Sequence, residues 1–103
     1  MDKRRANYYL RRIYRLIKSE KLPTILKRIR GKWGETDWKQ IILHPKRPLL
    51  PTFIHECLHN FYPDLCETGV TKLENQIFSK LTIKQLNNLL LRLALAINNI
   101  SFD

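Results

Sequence analysis

Several features that would place a chain in a common class are missing from this 103-residue sequence. It has only two cysteines, Cys57 and Cys66, which are too few for a disulfide framework and indicate a reducing compartment. The charged N-terminus is not followed by an apolar segment, so we predict no signal peptide. The most apolar stretch, residues 89–97, is short and contains Arg92, so no membrane span is predicted. We therefore expect a cytoplasmic protein.

Linkers and repeats are absent as well. No Ser/Gly-rich segment, low-complexity tract or internal repeat divides the chain. A length of 103 residues is enough for one modest hydrophobic core and too little for a second lobe. We therefore predict a single domain over residues 1–103.

Acidic residues are scarce in the first half of the chain. Residues 1–50 contain 15 Lys or Arg and 4 Asp or Glu, whereas residues 51–103 contain 4 and 5, so the net charge of +10 comes from the N-terminal half. A basic surface of this kind attracts nucleic acid or an acidic substrate, and it is equally compatible with a solvated face. Aromatic residues that can assist such binding are Tyr8, Tyr9, Tyr14, Trp33 and Trp38.

Hydrophobic periodicity predicts an α+β domain with the order α-β-β-α-α-α. The predicted elements are a helix over 5–19, strands over 24–30 and 38–43, and helices over 50–61, 67–80 and 82–97. Turn-forming residues occupy positions 31–37, so the two strands are expected to form a hairpin or part of a small sheet. The helix over 50–61 should pack against the C-terminal helices.

The most informative segment is His55-Glu56-Cys57-Leu58-His59, which has the pattern H-E-x-x-H. Positions i and i+4 of a helix lie on one face, so His55 and His59 can present two imidazole nitrogens to one Zn²⁺. Glu56 adjoins the first ligand, where a carboxylate can accept a proton from metal-bound water. Apolar residues at helical spacing surround the pattern, which supports a helix.

A zinc hydrolase needs a third protein ligand, and two glutamates of the next helix are candidates. Glu67 should lie near His59 if that helix folds back after a short loop, and Glu74 lies two turns further along, opposite His55. Each glutamate also fits a structural role that involves no metal. Glu67 fits a capping box with Asp64, and Glu74 fits a solvent-exposed helix charge.

Other zinc-ligand patterns fit this segment less well. The metzincin extension requires Gly at position 62 and His at position 65, but the chain has Tyr62 and Leu65, which excludes that class. Cys66 follows His59 closely enough to be a further candidate ligand, although nearby carboxylates suit a hydrolytic site better. Cys57 lies on the apolar side of the motif helix and is predicted to be a small core residue.

The segment Leu49–His59, followed by residues 62–65 and an acidic helix with Glu67 and Glu74, resembles the minimal gluzincins. These are small prokaryotic and viral zincin-like metallopeptidases, and the resemblance covers roughly residues 24–97. It implies a small sheet, an active-site helix and a following helix that supplies a Glu ligand. It also implies latency, with the chain termini or a second copy in the cleft.

A more distant resemblance is to the SprT-like group, whose members act on proteins bound to DNA. The basic N-terminal half suits that role. That group typically uses a third His, and none follows His59 in this sequence.

Together these patterns predict a zinc metallopeptidase in which Zn²⁺ is held by His55, His59 and Glu67, and Glu56 is the general base. Glu67 is favoured because of the short loop before it, and Glu74 is the alternative third ligand. An extended peptide substrate is expected to add to strand 38–43, and Tyr62 or His44 are candidate oxyanion stabilisers. The alternatives are a basic nucleic-acid-binding module without catalysis and a self-associating zinc scaffold.

Overall fold

The computed structural model describes residues 1–19, 22–37 and 39–98, over which the chain forms four helices and one three-stranded sheet. The elements are α1 (Lys3–Ser19), β1 (Thr24–Leu26), β2 (Gly34–Thr36), β3 (Ile41–Leu43), α2 (Leu49–Phe61), α3 (Glu67–Lys80) and α4 (Ile83–Asn98). The α+β class and all four predicted helices are confirmed. The predicted order lacked β2, so the observed order is α-β-β-β-α-α-α.

The sheet has the strand order β1-β3-β2, and β3 is its central strand. β1 pairs with β3 in parallel, with Thr24 opposite Ile41, and β2 pairs with β3 antiparallel, with Gly34 opposite Leu43. The two predicted strands therefore belong to a small sheet, which confirms one of the two predicted arrangements, and the alternative, a hairpin between them, was wrong. The antiparallel partner of β3 is the segment directly before it, because Asp37 accepts hydrogen bonds from the N–H groups of Lys39 and Gln40 and tightens that connection.

Residues predicted to be in strands are in part loops, and one predicted loop is a strand. Residues 27–30 leave the sheet after β1, and Gly31 adopts φ 74°, a left-handed conformation that glycine tolerates. The segment 34–36, predicted as a turn, extends alongside β3 instead. Trp38, the first residue of the second predicted strand, lies outside the described residues.

One hydrophobic core joins the apolar face of α1 to the sheet and the other helices. All three residues of β3 are buried, as expected for a strand covered on both faces. Fully or almost fully buried core residues include Ala6, Tyr9, Ile13, Ile41, Leu43, Phe53, Ile54, Cys57, Leu58, Val70, Ile77, Leu89 and Leu93. Cys57 is thus a core residue, and burial raises the pKa of its thiol well above the usual range.

Side-chain hydrogen bonds cap the first turns of α3 and α4. α3 is capped by Cys66, whose Sγ accepts the Gly69 N–H at 3.4 Å. The proposed capping box between Asp64 and Glu67 is therefore replaced by a cap one residue before the helix, and Glu67 is directed elsewhere. α4 begins with a capping box, because Thr82 and Gln85 exchange hydrogen bonds at 2.9 and 3.1 Å.

Among the helices of the described residues, none combines the length and the apolar content that a bilayer crossing requires.

Candidate metal centre

Two histidines of α2 and the first residue of α3 meet at one point. His55 and His59 lie one helical turn apart, and their Nε2 atoms are 3.2 Å from each other. Glu67 contacts both rings, with Oε1 at 2.6 Å from Nε2 of His55 and Oε2 at 2.9 Å from Nε2 of His59. The short loop after α2 therefore brings Glu67 to the His59 end of the motif helix, as the sequence predicted.

Glu74 also contacts His55, but from the other side of the ring. Its Oε1 lies 2.7 Å from Nδ1 of His55, and 16% of its side chain is exposed, compared with 71% for Glu67. In a neutral ring, an Nδ1–H that donates to Glu74 leaves the Nε2 lone pair directed toward Glu67 and His59. The two glutamates thus have different positions: Glu67 bridges the histidines, and Glu74 orients one of them.

The convergence requires a hydrogen atom or a cation between the acceptor atoms. A carboxylate and two unprotonated ring nitrogens are all acceptors, and they repel one another at 2.6 to 3.2 Å unless a proton or a cation lies among them. Burial raises the pKa of Glu67, but hydrogen bonds and charges from His55 and His59 outweigh burial and lower the pKa overall. The carboxylate is therefore held in its anionic form.

The three residues fit a metal ion. One ligand atom from each of His55, His59 and Glu67 can be chosen so that all lie within 4.8 Å of one another. Ligands about 2.0–2.1 Å from a tetrahedral ion are about 3.3 Å apart, so the separations of 2.6 to 3.2 Å need only small outward shifts. Two imidazoles and a carboxylate are also a common ligand set of catalytic zinc. The group can hold a metal ion.

Glu56 faces the cavity next to this cluster. The cavity has a volume of about 810 Å³, and His55, Glu56, His59, Glu67 and Glu74 all line it. Only 6% of Glu56 is exposed. Burial raises the pKa of Glu56 to about 7, although the positive charge of His55 opposes that rise. A carboxyl group with a pKa near neutrality is suited to accept and return a proton.

Residues of β2 also line the cavity, and Gly34 allows the strand to rest directly on α2. A Cβ at position 34 would lie 2.7 Å from Cγ2 of Thr52 and 3.2 Å from Cγ of Glu56. Any side chain at this position would therefore push β2 away from the motif helix. An isolated glycine in a strand often marks such a close approach, and this was the available signal for the strand that sequence reasoning missed.

The outer edge of β2 is free within the sheet, and it borders the cavity. Trp33 O accepts from His44 N, and Asp37 N donates to Gln40 O, so odd-numbered residues bond toward β3. The antiparallel alternation then directs the backbone groups of Gly34 and Thr36 outward. The expectation that strand 38–43 offers this edge was wrong, because β3 is paired on both sides.

Asn60 fastens β2 to the motif helix. Its Nδ2 donates to Oγ1 of Thr36 and, at 3.0 Å, to the carbonyl of Glu56. This contact lies one turn after Glu56 on α2, so it fixes the distance between the strand edge and the end of the helix that carries His59. Sequence reasoning gave Asn60 no role.

The two candidate oxyanion stabilisers lie elsewhere. The Tyr62 hydroxyl is 3.0 Å from that of Tyr9, and Nδ1 of His44 accepts the Lys46 N–H at 3.1 Å. Neither residue lines the cavity of the metal centre. Cys66, the alternative ligand, caps α3 and is not part of the ligand group.

Comparisons with protein-family models, with curated proteins and with solved structures found no match to this chain.

Proposed function

We propose that this chain is a zinc-dependent metallopeptidase of the minimal gluzincin type. The observation that carries the proposal is the meeting of His55, His59 and Glu67 at one point, with Glu56 facing the same cavity. The edge strand β2, whose residues line the same cavity, supports it, because a peptidase must hold an extended chain beside its base. Glu67 is the proposed third ligand.

Each residue has a defined task in this proposal. His55, His59 and Glu67 hold the ion, and Glu74 fixes the tautomer and the orientation of His55 through Nδ1. Zinc bound there supplies Lewis-acid chemistry, which lowers the pKa of a water molecule to about 7 and polarises a carbonyl. Glu56 accepts the proton of the attacking water and returns it to the leaving amine.

The proposed substrate is a peptide in extended conformation. Outward backbone groups of Gly34 and Thr36 can pair with it as an added strand, which gives affinity with little dependence on side chains. A Cβ built on Gly34 would lie 3.2 Å from Cγ of Glu56, so a peptide on this edge would pass close to the base. The cavity of about 810 Å³ is open enough to admit such a chain.

The experiment compares the wild-type protein with Glu56→Gln after loading with zinc. Metal content is measured by elemental analysis and cleavage with casein and a peptide library. We expect one zinc per chain in both proteins and a loss of cleavage of at least about 100-fold in the variant, since the base is removed while the ligands remain.

Glu35→Gln is the matched control, because Glu35 lines the same cavity and is exposed. It should retain both zinc and cleavage. Full activity in Glu56→Gln, or a zinc-loaded wild-type protein that cleaves no peptide, would contradict the proposal.

A further inference from the structure

A second feature, independent of the metal centre, is a basic stripe on the outer face of α1. We define the α1 stripe as Arg4, Tyr8, Arg11, Arg15 and Lys18. Their spacing of four, three, four and three residues keeps them on one side of the helix over a length of about 21 Å. All five side chains are exposed.

The cations of the stripe have no acidic partner in the part of the chain that is described. The ion pairs found there join Lys32 to Glu35 and the metal-centre histidines to glutamates. Asp2, the one acidic residue near the start of α1, accepts the Arg5 backbone N–H at 2.9 Å and serves as a helix cap. Among the described residues, no ion pair neutralises these cations.

The N-terminal end of the stripe borders a concave surface. A cavity of about 710 Å³ is lined by Arg4, Arg5, Tyr8 and Arg11, together with Met1, Tyr62 and Asp2, the cap of α1. Three guanidinium groups around one concavity offer many planar donors, which match the oxygen atoms of a phosphate. The surface therefore favours a phosphate-bearing ligand.

Tyr8 interrupts the row of cations with an aromatic ring. Its side chain is 42% exposed, and the Arg12 guanidinium lies 5.7 Å from the ring centroid. Arg12 is in turn packed 4.1 Å from the ring of Phe61, so Tyr8 is held beside a cation that is itself fixed to α2. An exposed aromatic ring between cations is the arrangement on which unpaired bases stack.

Two other partners of a basic helix fit less well. A helix that lies in a membrane surface inserts an apolar face, but the apolar residues of α1 are buried in the core: Ala6, Tyr9, Leu10 and Ile13. A protein interface needs a central group of apolar or aromatic anchors, and the stripe offers only Tyr8. We propose that the α1 stripe binds single-stranded nucleic acid, with its cations on the phosphates and Tyr8 stacked on a base.

The test measures binding of the full chain to fluorescent single strands of about 12 nucleotides, DNA and RNA, over a series of salt concentrations. The variant Arg4→Gln/Arg11→Gln/Arg15→Gln should weaken binding at least about tenfold. It should also reduce the slope of log affinity against log salt by about 2, because each lost phosphate contact removes about 0.7 from a single-strand slope.

The matched control is Lys72→Gln/Lys80→Gln/Lys84→Gln, which removes three exposed charges from α3 and from the start of α4. It lowers the net charge equally, so it should change affinity less than about threefold. Equal weakening by both triple variants would overturn the proposal, since overall charge would then explain binding. Circular dichroism and zinc content of each variant establish that the fold is retained.

Tyr8 separates stacking from charge. Tyr8→Ala should weaken binding to single strands about fivefold or more, and Tyr8→Phe should preserve it, because the ring is kept. Tighter binding to a duplex of the same length, to vesicles containing phosphatidylserine or to poly-glutamate would overturn the assignment to single-stranded nucleic acid.

Discussion

The metal centre and the α1 stripe use charged side chains in opposite ways. In the metal centre, Glu67 and Glu74 each lie within 2.9 Å of a histidine nitrogen, and the ring of His55 is held between them. On the α1 stripe, the cations have no carboxylate partner in the described part of the chain. Charges held by partners build a site of fixed geometry, whereas charges without partners are left for a ligand from outside.

The largest expected effect is on zinc affinity, and it distinguishes the roles of the two glutamates of α3. Glu67→Ala removes a proposed ligand and should weaken zinc binding by more than about 100-fold. Glu74→Ala removes only the orienting hydrogen bond to His55 and should weaken it by about 10- to 100-fold. Competition with a chromophoric chelator measures both affinities.

Glu35→Ala is the control for this series, because it removes an exposed carboxylate of the same cavity without touching a histidine. Its zinc affinity should stay at the wild-type level. A greater loss in Glu74→Ala than in Glu67→Ala would exchange the proposed roles of the two glutamates.

A smaller effect should appear in the stability of the metal-free protein as a function of pH. Burial raises the pKa of Glu56 to about 7 from 4.5, so the folded state keeps a proton that the unfolded state releases. Stability from this group is present below pH 4.5 and is lost as the pH rises to 7. Glu56→Gln should therefore gain up to about 3 kcal/mol over the wild type between these limits.

Urea unfolding in the presence of EDTA at several pH values measures this difference. Only the difference between the two proteins is interpreted, since other carboxylates titrate in the same range. If the difference in unfolding free energy between the two proteins stays constant from pH 4.5 to 8, the Glu56 carboxyl is not the cause of the pH dependence.

The smallest expected effect lies on the α1 stripe. Arg4→Gln and Arg11→Gln should each change the free energy of unfolding by less than about 0.5 kcal/mol, because no partner within the described residues loses a contact. Any gain should be greatest at low salt, where repulsion among the cations is least screened. A decrease of about 1 kcal/mol or more in the free energy of unfolding of either variant would show that the arginine makes a stabilising contact. The contrast between the stripe and the metal centre would then not hold.

The sequence predicted those parts of the molecule that depend on local spacing. His55 and His59 share a helix face because of their four-residue separation, and α3 begins and ends at the predicted residues. Glu67 was favoured over Glu74 on loop length alone. The contact of Glu74 with Nδ1 of His55 depends on how two helices pack, to a fraction of a turn, and no local pattern encodes that.

The sheet was predicted less well for a related reason. Strands of three residues carry little periodicity, and the choice among β1, β2 and β3 as neighbours depends on contacts far apart in sequence. The turn-forming residues around β2 concealed a strand, because packing against α2 outweighed their local preference. The edge that faces the metal centre was consequently assigned to the wrong segment.

Gly34 has a consequence for finding other chains of this kind. It lies 21 positions before His55 and has no side chain to keep β2 away from Thr52 and Glu56. The H-E-x-x-H pattern arises by chance in many helices. The same pattern with a small residue 21 positions earlier also indicates that a strand packs against the helix, as β2 does against α2. A search that scores both positions together should reject most accidental H-E-x-x-H segments.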